Sequence, residues 1–430
     1  MSPTPFELDL KLQVGKYDIR KMLGKGATGT VYLAVDTFSG REVALKTIEP
    51  EVFRDPEFGT VHRTQFLAEA SLAGKLKHPH IVGILDAVVQ EDSGYLAMEL
   101  VTGGDLSQFT APGKLLPVAD VLQIGFKCCG ALDYAHREGI VHRDLKPANI
   151  MVAKGTEPKI ADFGAALLRK TQAIQTASMG SPSYMSPEQL ENRPLTFHSD
   201  MYSLGVVLYE LLSGRKPFAA DNIQSLVQKI LRDDPPLPSA LRAGVPKSVD
   251  AIVLRAMGKR PEHRYKTWAE FALDLSSAVK LVLPGEAVAD SEKYVALKRV
   301  EMLIGLSDAE LWEIAGAARW MRVLARKVML RENEPGNSFF FLARGQVKVT
   351  RQGRLLNMVD EREFFGEMAY IWGGKAARHA TVEAATDLLV AEFEPEAVAK
   401  MSEGAQLHLT RALARNLADR LELANTRLGR

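Results

Sequence analysis

The sequence predicts an α+β chain in which a strand-rich segment, a helix-rich segment and a second, smaller strand-rich segment follow one another. Three observations carry that class. From about Tyr17 to Glu99, β-branched and aromatic residues alternate with polar ones, as in TVYLAVD and EVALKTIE, with one helical interruption, RTQFLAEASLAGKL. Beyond Gly103, apolar residues recur at three- and four-residue steps in VADVLQIGFKCCGALDYAHREG and DMYSLGVVLYELLSG, and the pattern runs to KTWAEFALDLSSAVKLVL. After LPGEAVADSE, a helical start, LKRVEMLIGLSDAELWEIAG, gives way to short strands such as SFFFLARGQVKVT and then to a last helix rich in alanine, arginine and leucine.

A chain of 430 residues exceeds one ordinary core. The expected division is an N-terminal segment at 1–16, a first domain at 17–283 with lobes at about 17–98 and 102–283, a linker at 284–293, and a second domain at 294–430. With 46% hydrophobic and 25% charged residues and a formal net charge of +1, the chain has no global field for nucleic acid or an anionic membrane. Neither is an expected partner. Cys128 and Cys129 are adjacent in a helical run, where a bridge between them is strained, which points to a reducing compartment. The N-terminal MSPTPFELDLKLQVGK lacks a basic segment followed by an apolar one, and MYSLGVVLYELL is too short to span a bilayer and carries Glu210. A soluble, cytoplasmic protein is expected.

The first chemical motif is Gly24-Lys25-Gly26-Ala27-Thr28-Gly29-Thr30-Val31, between two strand-like runs. Glycines let a backbone turn approach phosphates closely, and the strand that follows argues against a dinucleotide fold. Lys46, in VALK on the third expected strand, can reach inward to anionic oxygens, and Glu69, expected mid-helix, can hold it by an ion pair. The specific signal is His142-Arg143-Asp144-Leu145-Lys146-Pro147-Ala148-Asn149, with Asp162-Phe163-Gly164 one short hairpin further on. An aspartate that orients a hydroxyl, an asparagine five positions on and a second aspartate after a strand are suited to phosphoryl transfer with a metal.

In this order these residues resemble the protein kinase family, over roughly Tyr17 to Leu283, with Ser186-Pro187-Glu188, Asp200, Gly205 and Arg264 as further matches. The resemblance implies ATP with Mg2+, or Mn2+ in its place, and protein substrates. It implies Asp144, Lys146, Asn149, Lys46 and Glu69 as catalytic residues. ATP would be held by Gly24, Gly26, Gly29, Val31 and Lys46, with Met98, Glu99 and Val101 at the adenine hinge, and the metal by Asn149 and Asp162. Glu188 and Arg264 would form a buried pair. Lys146 looks like the serine/threonine type, and YMSPEQ is similar to bacterial members. Ser181 stands where threonine is usual. A negative charge on the loop after Gly164 could be captured by Arg143, with Thr171, Thr176 and Ser178 as acceptors, so autophosphorylation is expected there. Asp105 is open between a contact to the ATP ribose or a basic substrate residue and a helix N-cap.

Toward the C-terminus, Phe364 to Ala384 reads FFGEMAYIWGGKAARHATVEA. With Pro335-Gly336-Asn337-Ser338 and Gly345 before it, this stretch resembles the cyclic-nucleotide-binding domain family, over roughly Tyr294 to Leu428. Together the two resemblances imply a bilobal protein-kinase fold followed by a small jelly-roll-like β-barrel with flanking helices. They also imply a cyclic nucleotide at Gly366, Glu367, Met368, Ala369, Arg378 and His379, with Glu367 on the ribose hydroxyl and Arg378 on the phosphate. Cyclic AMP and cyclic GMP are both open. The chain departs from the family in a longer loop holding Gly373-Gly374-Lys375, in Arg362-Glu363 before the FGE segment, and in His379. The alternative is a docking or dimerising barrel without ligand, in which Arg378 pairs with Glu367 or Glu383. A transcription factor is not expected, because about thirty residues after the last strand make one helix and not a helix-turn-helix. Leu409, Leu413, Leu417 and Leu421 give that helix an apolar stripe for its own barrel or a second copy. A homodimer through this helix or the first lobe is the candidate assembly, and regulation is expected through docking of the barrel on a lobe.

Overall fold

The structure, a computed structural model, describes residues 13–26, 29–48, 51, 54–55, 59–72, 74–90, 93–153, 155–163, 182–282, 287–373 and 377–428. The chain divides into two compact units, Met1–Val279 and Lys280–Arg430.

In the first unit, β1 (Gln13–Val14), β2 (Tyr17–Gly26), β3 (Gly29–Asp36), β4 (Glu42–Ile48), β5 (Ile84–Val89) and β6 (Gly94–Glu99) make one antiparallel sheet, ordered β1-β2-β3-β4-β6-β5. Strand alternation buries Tyr17, Ala34, Val43, Leu45 and Ala97 in one cluster, and Ile48 and Leu96 with Phe66 of α1 (Gly59–Ala70) in another. Two positions differ from expectation. Lys46 lies on the fourth strand, because the two-residue β1 comes first. Glu69 lies in the last turn of α1, because the chain leaves the helix at Ser71 and Gly74 adopts a left-handed φ of 72°.

The helical part consists of α2 (Val118–Arg137), the hairpin β7 (Ile150–Val152) and β8 (Pro158–Ile160), α3 (Pro187–Leu190), α4 (Phe197–Ser213), α5 (Ile223–Arg232), α6 (Pro238–Leu241), α7 (Lys247–Ala256) and α8 (Trp268–Val282). The MYSLGVVLYELL stretch is central: α4 is buried from Ser199 to Ser213, as a helix apolar on every side must be. Thr196 caps its start by accepting from the His198 N–H, and Gly214 ends it in the left-handed region. Cys128 and Cys129 are unpaired inside α2, and burial pushes the Cys128 thiol up to about 12.

In the second unit, α9 (Asp290–Lys298) begins inside the expected linker, with Asp290 and Glu292 in its first turn where the helix dipole favours acids. After α10 (Asp308–Ala317) come β9 (Arg319–Val323), β10 (Val328–Leu330), β11 (Phe339–Arg344), β12 (Val347–Arg351), β13 (Arg354–Val359) and β14 (Phe364–Phe365). Then follow α11 (Glu367–Trp372), β15 (Thr381–Ala384), β16 (Leu388–Phe393), α12 (Pro395–Val398) and α13 (Glu403–Leu428). Two antiparallel sheets, β10-β15-β12-β13 and β14-β11-β16-β9, close on one core that includes Leu330, Val347 and Val382 from the first sheet and Phe340, Phe365 and Val390 from the second. Among the described residues, no helix is long and apolar enough to cross a membrane.

Candidate functional site

In the first unit the glycine-rich segment is the end of the β2–β3 hairpin, where Gly24 opposes Val31 and Gly26 opposes Gly29. A Cβ on Gly29 would stand 2.1 Å from the Thr47 carbonyl oxygen, and its φ is 143°, so only glycine lets β3 lie this close to β4. Ala27 and Thr28 lie outside the described residues.

On the adjacent strand, Lys46 points its ammonium between two carboxylates, 2.7 Å from Glu69 Oε2 and 3.5 Å from Asp162 Oδ1. Burial opposes the charge on Lys46, but Asp162 and Glu69 outweigh it and hold the ammonium's pKa above its ordinary value. The same Lys46 charge holds the carboxyl of the half-buried Asp162 below its ordinary range. Burial pushes the Glu69 carboxyl up against the pull of Lys46, and an ammonium set between two acids can exchange one partner for an anionic ligand.

The segment at 142–149 is fixed from below by Asp200 of α4, which accepts from the backbone N–H groups of His142 at 2.7 Å and Arg143 at 2.8 Å. His142 Nε2 lies 2.9 Å from the Ala161 carbonyl oxygen, and its ring sits 4.6 Å from Phe163. Lys146 Nζ lies 2.7 Å from Asp144 Oδ2, and Asn149 Nδ2 donates to the Asp144 carbonyl at 2.8 Å and to its carboxylate at 3.2 Å. The Ala161 N–H donates to the Asn149 carbonyl at 2.8 Å, so Asn149 and Asp162 flank one backbone hydrogen bond. Arg143 and Asp162 both have left-handed φ, 69° and 64°. Such strain in non-glycine residues persists where surrounding contacts over-determine the backbone.

Met98 and Glu99 end β6, with Val101 two residues on. Lys159, which the motif pattern did not single out, ties the Glu99 carboxylate at 3.0 Å and the Pro79 carbonyl at 2.8 Å. Asp105 caps a short 3-10 turn, accepting from the Ser107 N–H at 2.8 Å, so of its two readings the structure displays the N-cap. Glu188 and Arg264 form a two-pronged buried pair, 2.8 Å at each prong. Gly164, Thr171, Thr176, Ser178 and Ser181 lie outside the described residues.

In the second unit, Gly366, Glu367, Met368, Ala369, Arg378 and His379 all line one cavity of about 110 Å3. Arg378 is buried and donates to the Ser338 carbonyl at 2.6 Å, the Ser338 hydroxyl at 3.0 Å and the Gly366 carbonyl at 3.1 Å. A Cβ on Gly336 would stand 2.9 Å from its Nε, and one on Gly366 3.3 Å from its Nη1, so two glycines cradle the guanidinium. Burial lowers the Arg378 pKa from the ordinary arginine value. An arginine remains a cation under that shift.

The expected ion pair of Arg378 with Glu367 or Glu383 is absent among the described residues. Glu367 pairs instead with Arg420 of α13, at 3.0 Å, and Arg420 also reaches Glu363 at 3.2 Å and donates to the Phe364 carbonyl. Burial pushes the Glu367 carboxyl up, against the pull of Arg420. Asn416, one turn earlier and buried, donates to the same Phe364 carbonyl at 3.3 Å. Arg420 is the site residue that the sequence pattern missed. His379 packs edge-on against Trp372 at 4.7 Å, and its buried Nε2 has no hydrogen-bond partner among the described residues. Gly374 and Lys375 lie outside them.

Residues 17–271 match the family model of the protein kinase domain, and residues 320–404 that of the cyclic nucleotide-binding domain. The chain is 39% identical over 267 residues to serine/threonine-protein kinase PknB of Mycobacterium leprae, a match covering 60% of this chain and 42% of that protein. It is 38% identical over 271 residues to serine/threonine-protein kinase PknH of Mycobacterium tuberculosis, covering 62% and 42% respectively. The match thus spans about two-fifths of the length of these relatives.

Proposed function

The chain belongs to the protein kinase family and carries a cyclic nucleotide-binding domain behind its kinase domain; on that premise we propose that it is an ATP-dependent serine/threonine protein kinase whose C-terminal barrel takes a cyclic nucleotide. The observation that carries the first half is the buried Lys46 ammonium between Glu69 and Asp162, beside the Asp144, Lys146 and Asn149 cluster.

Each residue has a chemical task. Asp144 orients the substrate hydroxyl and accepts its proton as the oxygen attacks the γ-phosphorus and the bond to the β-phosphate oxygen breaks. Lys146, hydrogen-bonded to Asp144, balances charge on the transferred group. Lys46, steadied by Glu69, pairs with the α- and β-phosphates under the glycine-rich hairpin, and the segment of Met98, Glu99 and Val101 takes the adenine. Asn149 and Asp162 offer hard oxygen donors brought together by the Ala161–Asn149 hydrogen bond, a donor set that fits Mg2+. When bound, the ion supplies positive charge to the phosphate oxygens. Thr171, Thr176 and Ser178 are the proposed autophosphorylation acceptors. The test is intact mass after incubation with ATP and Mg2+: phosphoryl additions are expected, absent in Asp144→Asn, and an unchanged mass in both chains refutes autophosphorylation.

The second half rests on Arg378, buried, cationic and cradled by Gly336 and Gly366 beside Glu367. A guanidinium takes the cyclic phosphate and a carboxylate accepts from the ribose hydroxyl. The cavity of about 110 Å3 is smaller than pockets that enclose small ligands, roughly 300 Å3 or more. A sugar hydroxyl placed on Glu367 would compete with Arg420 for the same carboxylate. The Arg420–Glu367 pair favours the alternative, a barrel closed on itself without ligand. Calorimetric titration of the full chain with cyclic AMP and cyclic GMP decides between them. Heat that disappears in Arg378→Ala supports the ligand site, and no heat with either nucleotide supports the closed barrel.

A further inference from the structure

The β12–β13 hairpin turns through Gln352 and Gly353, both at positive φ, and leaves β13 on the edge of its sheet, with β12 as its only strand neighbour among the described residues. An edge strand exposes a row of unpaired backbone groups, which proteins usually guard with charge or cover. β13 does the reverse. Leu355 is 58% exposed, Leu356 52% and Met358 37%. The pairing with β12 skips Leu356, since Val349 opposes Asn357 while Thr350 opposes Leu355. That bulge takes Leu356 out of the inward and outward alternation and sets two successive leucines in solvent.

The charges around this edge are self-complementary. Arg354 opens the strand and has no ion-pair partner among the described residues, while Asp360 follows its end, exposed and accepting only a Gln346 amide hydrogen bond among them. A second β13 laid antiparallel about Asn357 places Arg354 of each copy against Asp360 of the other. It also sets Leu356 against Met358 across the pair. Such an arrangement is isologous, so it satisfies both edges at once and stops at two chains.

We propose that the β13 edge is a homodimer interface, in which two copies of this chain join their barrels by antiparallel edge pairing, with the Arg354–Asp360 pairs fixing the register. The occupant is a second copy because one strand supplies both the basic and the acidic end.

The test is sedimentation velocity of the full-length chain over a concentration series, at low and high salt. A monomer–dimer equilibrium that weakens with salt is expected, with no larger species. Arg354→Asp and Asp360→Arg, both on exposed side chains, are each expected to raise the dimer dissociation constant about tenfold or more by opposing like charges. Mixed in equal amounts, the two variants are expected to dimerise with each other, since every facing pair is again opposite in sign. A misfolded variant could not give that rescue. A chain monomeric throughout, a dimer that both variants leave intact, or two variants that stay monomeric when mixed would each overturn the proposal. So would open-ended association, which an isologous edge does not allow.

Discussion

Glu188 and Arg264 are far apart in sequence and meet as a buried, doubly hydrogen-bonded pair, which makes them a sensitive place to test the first unit. Burial disfavours the Glu188 carboxylate, but Arg264 outweighs it and holds the pKa below the ordinary 4.5. A carboxyl lowered by folding lends stability above that ordinary value and loses it as pH falls through the lower folded value. Glu188→Gln should therefore flatten the acid limb of a denaturation profile measured between neutral pH and about pH 3. It should also cost about 3–5 kcal/mol, because a buried guanidinium is left unpaired. At the proposed catalytic cluster, Asp144→Asn should lower the rate of phosphoryl transfer by about 10²–10⁴-fold, read as initial rate at saturating ATP. The grouping of Asp144, Lys146 and Asn149 was legible in the sequence because they lie on one short segment. Arg420 was not, since one arginine in an arginine-rich helix carries no sign that it will meet Glu367.

Among the elements, the β2–β3 hairpin and α13 make the contrast plainest. The hairpin was readable because its glycines stand between two strand-like runs, whereas the close approach of β3 to the Thr47 carbonyl at Gly29 was not. Gly29→Ala should push β3 off the Thr47 carbonyl, lower stability by about 1–3 kcal/mol and weaken ATP binding, measurable by thermal melts with and without nucleotide. In α13 the expected stripe of Leu409, Leu413, Leu417 and Leu421 holds only for its first half: Leu409 and Leu413 are buried, and Leu421 is exposed. Steps of four residues advance about 40° per step on a helix of 3.6 residues per turn, so the row drifts off the barrel. The buried face runs instead through Ala405, Leu409, Ala412 and Asn416, and Arg420 continues it. Arg420→Met should remove the tie to Glu367 and Phe364, and faster amide exchange around Asn416 to Glu422 is the expected readout.

On the scale of the whole molecule, two units with separate cores are joined near Val279, where α8 carries the chain across the division. The order of strand-rich, helix-rich and strand-rich segments was visible because each has its own hydrophobic period. The pairing order β14-β11-β16-β9 was not, because non-local register leaves no local trace. A kinase domain and a cyclic nucleotide-binding domain on one chain gain meaning as a pair if ligand at Arg378 changes transfer at Asp144, and a ligand does this only by favouring one state over another. The most direct measurement is the initial rate of phosphate transfer from ATP to a serine-containing protein substrate by the full chain, with and without cyclic AMP or cyclic GMP, beside Arg378→Ala. The predicted result is a rate that one cyclic nucleotide shifts and a shift that Arg378→Ala removes. Equal rates in every arm, with nucleotide shown to be bound, would contradict coupling, and no transfer in any arm would contradict the kinase assignment itself.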